Sequence, residues 1–437
     1  MKYNVLSIVS LSLLLTACCG QPKPTYTVPA PEDVMMYQVN PRVFAAESSF
    51  NAVAQQLDSI RALGANVVWF MPVYEVGKER SVNSPYCIRN YKALNPEFGT
   101  MEEFSSLVAQ CHEKGMSVIL DWVANHTSWD NAWVADHPEW YTRNDEGEII
   151  SPEGTGWLDV ADLDFDNREM RLAMIDAMKF WVNEAGIDGF RCDAADFVPY
   201  DFWKQAIDSL RNIPGRKLLM LAEGKRKDHF QAGFEMNYAW DFMTALRDVF
   251  IRDSSALLLY RTDSMEYDSI PEGCVKLRFT TNHDEASKLS PVVEYQGERG
   301  SMSAFVIAAF LRGGALIYGS QEVGYPEPIN FFHYVPVDWT SKPALRAEYA
   351  RLMHLYNTLP ALRKGQTLPC PDEDCILFEK RLGDDRILVM ANVRPDAMRP
   401  VLPESWQGRT VTDLMTGERL TLEQAFALDA YAYRIFQ

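Results

Sequence analysis

Paired cysteines are what this sequence most plainly lacks. Its eight cysteines contain no CxxC spacing, and six of them (Cys87, Cys111, Cys192, Cys274, Cys370 and Cys375) are scattered, which excludes a zinc ribbon or finger. Only Cys370 and Cys375, on either side of PDED in an expected turn, stand close enough to form a disulfide in an oxidising compartment. Positive charge is short as well. The 42 Lys and Arg against 60 Asp and Glu leave a net charge of −18, which repels a phosphate backbone and argues against nucleic acid as a partner. No GxGxxG phosphate loop is present, so an organic dinucleotide cofactor has no sequence support.

What is present is a large apolar fraction, 47% of 437 residues, enough for one large domain and a smaller one. The chain opens with Lys2, the apolar stretch VLSIVSLSLLL (Val5 to Leu15) and then Thr16, Ala17 and Cys18. Such a stretch is far short of the roughly 20 residues of a membrane span and suits the apolar region of a secretory signal. Leu15-Thr16-Ala17-Cys18 resembles a bacterial lipobox, in which Cys18 is lipidated and becomes the mature N-terminus; an ordinary signal peptide cut nearby is the alternative. The expected order is a signal over 1–17 and a Pro-rich tether over 18–33. The location that follows is the bacterial cell envelope, lipid-anchored at the outer membrane, on its periplasmic or surface face.

From Val34 onward short apolar runs alternate with helical ones. Strands are expected at Met35–Val39, Val67–Pro72, Ser117–Val123, Gly189–Ala194, Leu218–Gly224, Phe234–Tyr238, Leu277–Asn282 and Ala315–Ser320. Segments with apolar spacing of three and four lie between them, as in Phe50–Gly64, Met101–Gly115, Asn167–Gly186 and Ser301–Gly313, and several end in Gly as helix C-caps do. Eight strand-then-helix units predict an α/β fold, a (β/α)8 TIM barrel, over 34–365. An open doubly wound sheet is the alternative. The polar, aromatic-rich stretch 128–159 after the third strand has no helical period and reads as an excursion over the barrel top, a lid or binding wall. From 366 to 437 short strands and turn residues predict an all-β sandwich domain.

In a barrel the chemistry gathers at the C-terminal ends of the strands. The third strand ends in Asp121, Asn125 and His126; the fourth carries Arg191 and Asp193; the fifth ends in Glu223; the seventh ends in Asn282, His283 and Asp284. Arg191 and Asp193 share one face of GFRCDAADF, since side chains two apart point the same way. Three converging carboxylates without cysteine ligands leave a hard divalent cation, or acid, base and nucleophilic work on a neutral substrate. Arg191 argues against a catalytic cation, because a fixed positive charge competes for Asp193 while keeping it ionised, as a carboxylate nucleophile must be. The 12% aromatic content would suit a protein that stacks sugar rings, although aromatics also fill cores.

DWVANHT (Asp121–Thr127), GFRCDAADF, LAEG (Leu221–Gly224) and FTTNHD (Phe279–Asp284) occur in the order and on the strands of the four conserved regions of the α-amylase family, which this sequence resembles. NPEFGT (Asn95–Thr100) and GSQEVG (Gly319–Gly324) extend the likeness across the barrel. The resemblance implies a retaining glycoside hydrolase that cleaves α-glucosidic bonds, α-1,4 bonds first, in starch-derived glucans or maltooligosaccharides through a covalent glucosyl-aspartate. It implies Asp193 as nucleophile, Glu223 as acid and then base, and Asp284 as the residue that holds the distorted sugar. Tyr86, His126, Arg191 and His283 would bind the sugar on the non-reducing side, with Asp121 as support. On that reading Glu223 has a raised pKa and Asp193 does not, and their carboxyl groups lie roughly 5 to 5.5 Å apart.

Asn125 and Asp162 match two ligand places of the structural calcium that the family often carries, which allows calcium as a cofactor. The sequence departs from the pattern at Ser84 and Cys87, and at Asp196 and Phe197, which replace a frequent Lys-His contacting the leaving-group side. Substrate preference is expected to diverge there. Trp129, Trp133, Trp140 and Trp157 in the excursion suit sugar stacking and a local core equally. The partners expected are an α-glucan and, through Cys18, a membrane; the protein is expected to be a monomer. An α-glucan transglycosylase and a catalytically inactive glycan-binding lipoprotein are the alternative functions.

Overall fold

A computed structural model describes residues 26–437; the signal-like stretch, the lipobox with Cys18 and the first part of the tether lie outside the described residues. Eight short parallel strands close into a barrel, each bonded to its neighbours in chain order. They are β1 (Met35–Val39), β2 (Val67–Phe70), β3 (Ser117–Trp122), β4 (Gly189–Cys192), β5 (Leu219–Ala222), β6 (Met236–Tyr238), β7 (Val275–Arg278) and β8 (Gly314–Tyr318). Every residue of these strands is buried, because helices cover the outer face and side chains fill the inner one, and this is why they read as continuous apolar runs. Trp69 of β2 and Tyr238 of β6 meet inside the barrel with ring centroids 6.3 Å apart.

The helices carry their own start and stop signals. Thr100 and Glu103 form a reciprocal capping box at Met101–Glu113, and the Asn167 side chain caps Arg168–Phe180 by accepting from two backbone N–H groups. The latter helix runs on as a wider turn through Ala185 and stops at Gly186, which takes the left-handed conformation. β7 differs from its expected span. It ends at Arg278, and Asn282 instead caps a short helix, His283–Ala286, by accepting from the N–H groups of Asp284 and Glu285. His283 and Asp284 therefore project from a helix start and not from a strand end.

The excursion is pinched at its base by an antiparallel pair, His126–Ser128 with Val160–Asp162. Within it Trp133 lies against Tyr91 at 5.2 Å and Trp140 stacks on His137 at 3.9 Å, so these two build a local core. The C-terminal region is an antiparallel four-stranded sheet in the order Gln366–Pro369, Cys375–Leu382, Asp385–Asn392, Tyr433–Phe436. Because side chains alternate, Ile376, Phe378, Ile387 and Val389 join the barrel's core while Leu377, Leu388 and Met390 pack with Trp406, Val411 and Leu422. The second layer is thus a single hairpin, Thr410–Thr412 with Arg419–Thr421, and its flanking loops.

Two sequence expectations are corrected here. Cys370 and Cys375 are free thiols; Cys375 faces the small apolar core at the start of its strand and Cys370 packs at the edge of that core. The tether expected over 18–33 is held down from Tyr26 onward. The Tyr26 ring stacks on His112 at 3.7 Å, its hydroxyl donates to Asp188 Oδ1 at 2.9 Å, and Val28 is buried. Aromatic stacking and a charge-assisted hydrogen bond outweigh the extended preference of a Pro-rich stretch.

Gly189, the first residue of β4, has φ of +147°, and a Cβ there would meet the backbone carbonyl oxygen of Leu219 at 1.9 Å. A side chain would force β4 and β5 apart. Gly189→Ala is therefore expected to destabilise the barrel by at least about 2 kcal/mol, read as a lowered midpoint of thermal unfolding followed by circular dichroism, whereas an unchanged midpoint would show that the strands can separate without cost.

Candidate active site

The register of three adjacent strands builds the site. Asp121 of β3 is the direct neighbour of Arg191 of β4, so both side chains point into the barrel at the same level. Arg191 in turn pairs with Leu221 and Cys192 with Ala222 on β5. One step further Glu223 N–H donates to the Cys192 carbonyl at 2.9 Å and Asp193 N–H to the Trp122 carbonyl at 2.8 Å. Since side chains two apart share a face, Asp193 and Glu223 stand side by side directly above the Asp121 and Arg191 layer.

Arg191 ties these layers together and is fully buried. Its Nη1 lies 2.6 Å from Asp121 Oδ1 and 2.8 Å from Asp193 Oδ1, its Nη2 lies 2.9 Å from Glu223 Oε1, and Nε donates to the Tyr238 hydroxyl at 3.1 Å. Its guanidinium carbon is 5.1 Å from the centre of the Trp69 ring. Glu223 Oε2 accepts from Ala194 N–H at 2.7 Å, and Ala194 reaches that position through a left-handed backbone, φ 45°. Asp284 is the most open of the acids, with a side chain 37% exposed.

A second chain of hydrogen bonds crosses from β1 to β3. Gln38 Nε2 donates to His283 Nδ1 at 2.8 Å, His283 Nε2 is 2.6 Å from the Tyr86 hydroxyl, and that hydroxyl donates to Asp121 Oδ2 at 3.0 Å. With Nδ1 accepting, the imidazole carries its hydrogen on Nε2. Burial pushes the His283 pKa down to about 3, helped by Arg191, and burial pushes His126 down to about 4. Both rings are neutral.

The acids behave differently from the sequence expectation. Burial pushes Asp193 well above the usual carboxylate range, with Arg191 opposing and Glu223, Asp121 and Asp284 adding to the rise. Burial likewise pushes Asp121 up to about 7 against the pull of Arg191. The expectation that Asp193 stays low counted its arginine and not its neighbours: one guanidinium faces four carboxyl groups in a dry site, so the resting cluster retains a proton.

Asp193, Glu223 and Asp284 line one cavity of about 360 Å³ together with Tyr86, His126 and His283. The structure thus gathers every expected catalytic and sugar-binding residue, Arg191 standing just beneath the floor. Asp196 is placed elsewhere. It accepts from the N–H groups of Lys225 and Arg226 at 3.1 and 3.2 Å and staples the loop after Glu223, where it fills the space a side chain on Gly224 would need. Phe197 is 58% exposed and lies 5.8 Å from Trp157, itself part of the cavity wall. Of the four excursion tryptophans, Trp157 is the one that reaches the cavity.

Sequence reasoning passed over Gln38, Trp69, Tyr238, Phe331 and Phe332. Gln38 left a signal, a polar side chain in the otherwise apolar MMYQV. Phe331 and Phe332 left none, because they lie in an irregular stretch and come to the cavity wall through tertiary folding alone. Asp162 lies on the strand Val160–Asp162 and Asn125 in the bend just before its partner strand His126–Ser128, but Asn125 Nδ2 faces His126 Nδ1 at 3.4 Å and burial raises the Asp162 pKa. Their three side-chain oxygens fall well short of the roughly six to eight that calcium takes. Among the described residues no three His, Cys, Asp or Glu side chains converge as a metal-binding group, so the donor set does not fit calcium by itself and no chemical step is derived through a metal.

A family model described as alpha amylase, catalytic domain, matches residues 43–148 and 155–341. Over 414 residues the chain is 26% identical to an alpha-amylase of Haloarcula japonica, covering 90% of this chain and 60% of the relative. It is 28% identical over 410 residues to an alpha-1,4-glucan:maltose-1-phosphate maltosyltransferase of Rhodospirillum rubrum, covering 83% and 57%. The chain therefore spans less than two thirds of the length of these curated relatives. Among solved structures, a maltogenic alpha-amylase from Thermotoga neapolitana superposes with a TM-score of 0.82 at 26% identity, covering 93% of this chain and 99% of that one. An alpha-amylase from Lactobacillus plantarum shares the fold with a TM-score of 0.84 at 24% identity, covering 93% and 99%.

The two histidines give a direct check. Their imidazole signals in NMR are expected to stay in the neutral form down to about pH 5, since folding holds both near 3 and 4 against about 6.5 unfolded. The stability that comes from keeping them neutral is complete above the unfolded value and falls as pH drops toward the folded ones. A titration midpoint near 6.5 for either ring would contradict its burial.

Proposed function

Because the chain belongs to the α-amylase family, we propose that it is a retaining glycoside hydrolase that opens α-glucosidic bonds, α-1,4 bonds first, in starch-derived glucans or maltooligosaccharides. The observation that carries this reading is the single buried guanidinium in contact with both Asp193 and Glu223, which keeps a nucleophile and an acid on the same side of one small cavity. A sugar stacked on Tyr86 brings its anomeric carbon toward Asp193. An Asp193 carboxylate oxygen bonds to that carbon as the glycosidic C–O bond breaks, and Glu223 gives its proton to the departing oxygen. Water then attacks the glucosyl-aspartate, Glu223 takes the water's proton, and Asp193 leaves as a carboxylate.

The reaction requires an acid proton on Glu223 and an anionic Asp193 when the bond breaks, and the positive charge that develops on the anomeric carbon favours the anionic form of Asp193 at that moment. His126 and His283, being neutral, line the cavity without adding a cation that would oppose this charge. Asp284, at the open edge of the cluster, is placed to hold two hydroxyls of a distorted ring. The inactive glycan-binding alternative is disfavoured, since all three carboxyl groups line the cavity.

A second reading, transfer of the glucosyl unit to another sugar, is favoured by one feature. Trp157 and Phe197 leave exposed aromatic surface at the rim, which can hold an acceptor in place of water at the same intermediate. Attachment to the cell envelope through Cys18 is a further part of the proposal, resting on the lipobox alone.

Three measurements test this. Incubation with maltoheptaose and with pullulan is expected to give shorter products from maltoheptaose; products longer than the substrate would establish transfer, and no products across α-glucans from folded protein would overturn the enzyme reading. Proton NMR of the first turnovers is expected to show the α-anomer, with an initial β-anomer contradicting retention. Asp193→Asn is expected to lower kcat by roughly 10⁴-fold or more while sugar binding persists, and retained turnover would remove Asp193 from its role.

A further inference from the structure

We propose that Arg42 determines how a glucan enters this cavity: it locks two loops into a closed wall on the sugar-stacking side, so that the enzyme works from non-reducing chain ends. The proposal rests on the α-glucan reading above and adds the mode of attack. Arg42 lies on the short turn after β1 and is 1% exposed. Nε and Nη2 donate to the two oxygens of Glu97 at 3.1 Å each, Nη1 donates to the carbonyls of Asn83 at 2.8 Å and Phe331 at 3.1 Å, and Nη2 reaches Asn83 Oδ1 at 3.4 Å. Its own carbonyl accepts from Val335 N–H at 3.0 Å. Such a fork of donors with acceptors in two loops fixes their spacing, which a lysine's single ammonium cannot do.

The loops so joined are those that wall the cavity. Val82, Ser84 and Tyr86 come from one and Phe331 and Phe332 from the other, and Asn83 Nδ2 bridges them directly to the Phe332 carbonyl at 2.5 Å. The Phe331 ring stands edge-on to His283 at 5.3 Å and to Tyr86 at 6.0 Å, beside the surface on which the sugar stacks. A chain continuing past that sugar on this side meets Asn83 and Phe332, whose side-chain amide and backbone carbonyl are hydrogen-bonded to each other. The exposed Trp157 and Phe197 stand where the excursion and the loop after β4 meet. A cleft that grips the middle of a polymer needs both ends open, and the Asn83–Phe332 bridge closes this one. Arg42 is a positioning residue in this account; it acts through Asn83 and Phe331 and touches no substrate.

The test compares two maltoheptaosides, one with a free non-reducing end and one with that end capped by a 4,6-O-ethylidene group, with products resolved by chromatography. The wild-type protein is expected to favour the free end by roughly a hundredfold or more in kcat/KM. Arg42→Lys, and Asn83→Ala on the exposed loop, are expected to bring that ratio below about tenfold by raising turnover of the capped substrate, an effect general destabilisation would not produce. Equal kcat/KM for both substrates in the wild type would overturn the closed wall while leaving the α-glucan reading intact, and no turnover of either would overturn that reading as well. Amide hydrogen exchange reads the lock without any substrate. Arg42→Lys is expected to speed exchange at 81–86 and 329–335, and unchanged exchange there would overturn the role of Arg42.

Discussion

Everything at the top of this barrel is arranged around one buried cation. Arg191 is the guanidinium that Asp121, Asp193 and Glu223 all contact, in a place that water does not reach. Removing one partner from a buried pair typically costs about 3–5 kcal/mol because the other charge is left uncompensated; here three carboxyl groups would be left. The cluster is a poor device for stability, since apolar residues of similar volume would serve as well or better. Its value is chemical: it places two carboxyl groups on one small cavity, where burial pushes Asp193 and Asp121 above the usual carboxylate range against the pull of the arginine.

The cation can occupy that place because the barrel supplies levels. Neighbouring strands in parallel register put Asp121 beside Arg191, and the two-residue repeat of a strand lifts Asp193 and Glu223 to the next level up. Trp69 and Tyr238 line Arg191 with aromatic faces and a hydroxyl, so its charge is partly met from below. The hydrogen-bond chain from Gln38 through His283 and Tyr86 ends on the second oxygen of Asp121. Two networks thus meet on one carboxylate, and the Tyr86 ring is fixed by the same residue that supports the arginine.

Much of this was legible in the chain. The eight strands were marked by short apolar runs, since burial on both faces leaves little room for polar side chains, and the charged residues that break those runs fell at the ends where a barrel keeps its site. Boundaries failed where a side chain competed with the ladder, as when Asn282 capped a helix and ended β7 early. The ionisation of Asp193 was misjudged for a related reason. Sequence neighbours show the arginine two residues away, but the opposing carboxyl groups come from other strands. Asp196 was read only as a departure from a motif at which substrate preference diverges, because its place in the motif is visible and its partners, the backbone of Lys225 and Arg226, are not.

The sequence by itself determined the alternation that closes the barrel, the catalytic-type side chains and the strands that carry them, because period and residue type are local properties. Tertiary structure alone decided which oxygen each donor meets, that Phe331 and Phe332 come to stand beside Tyr86, and that Arg42 binds loops lying far apart in the chain. Those outcomes depend on which segments meet in space, and a lone arginine after a strand carries no mark of the loops it will join.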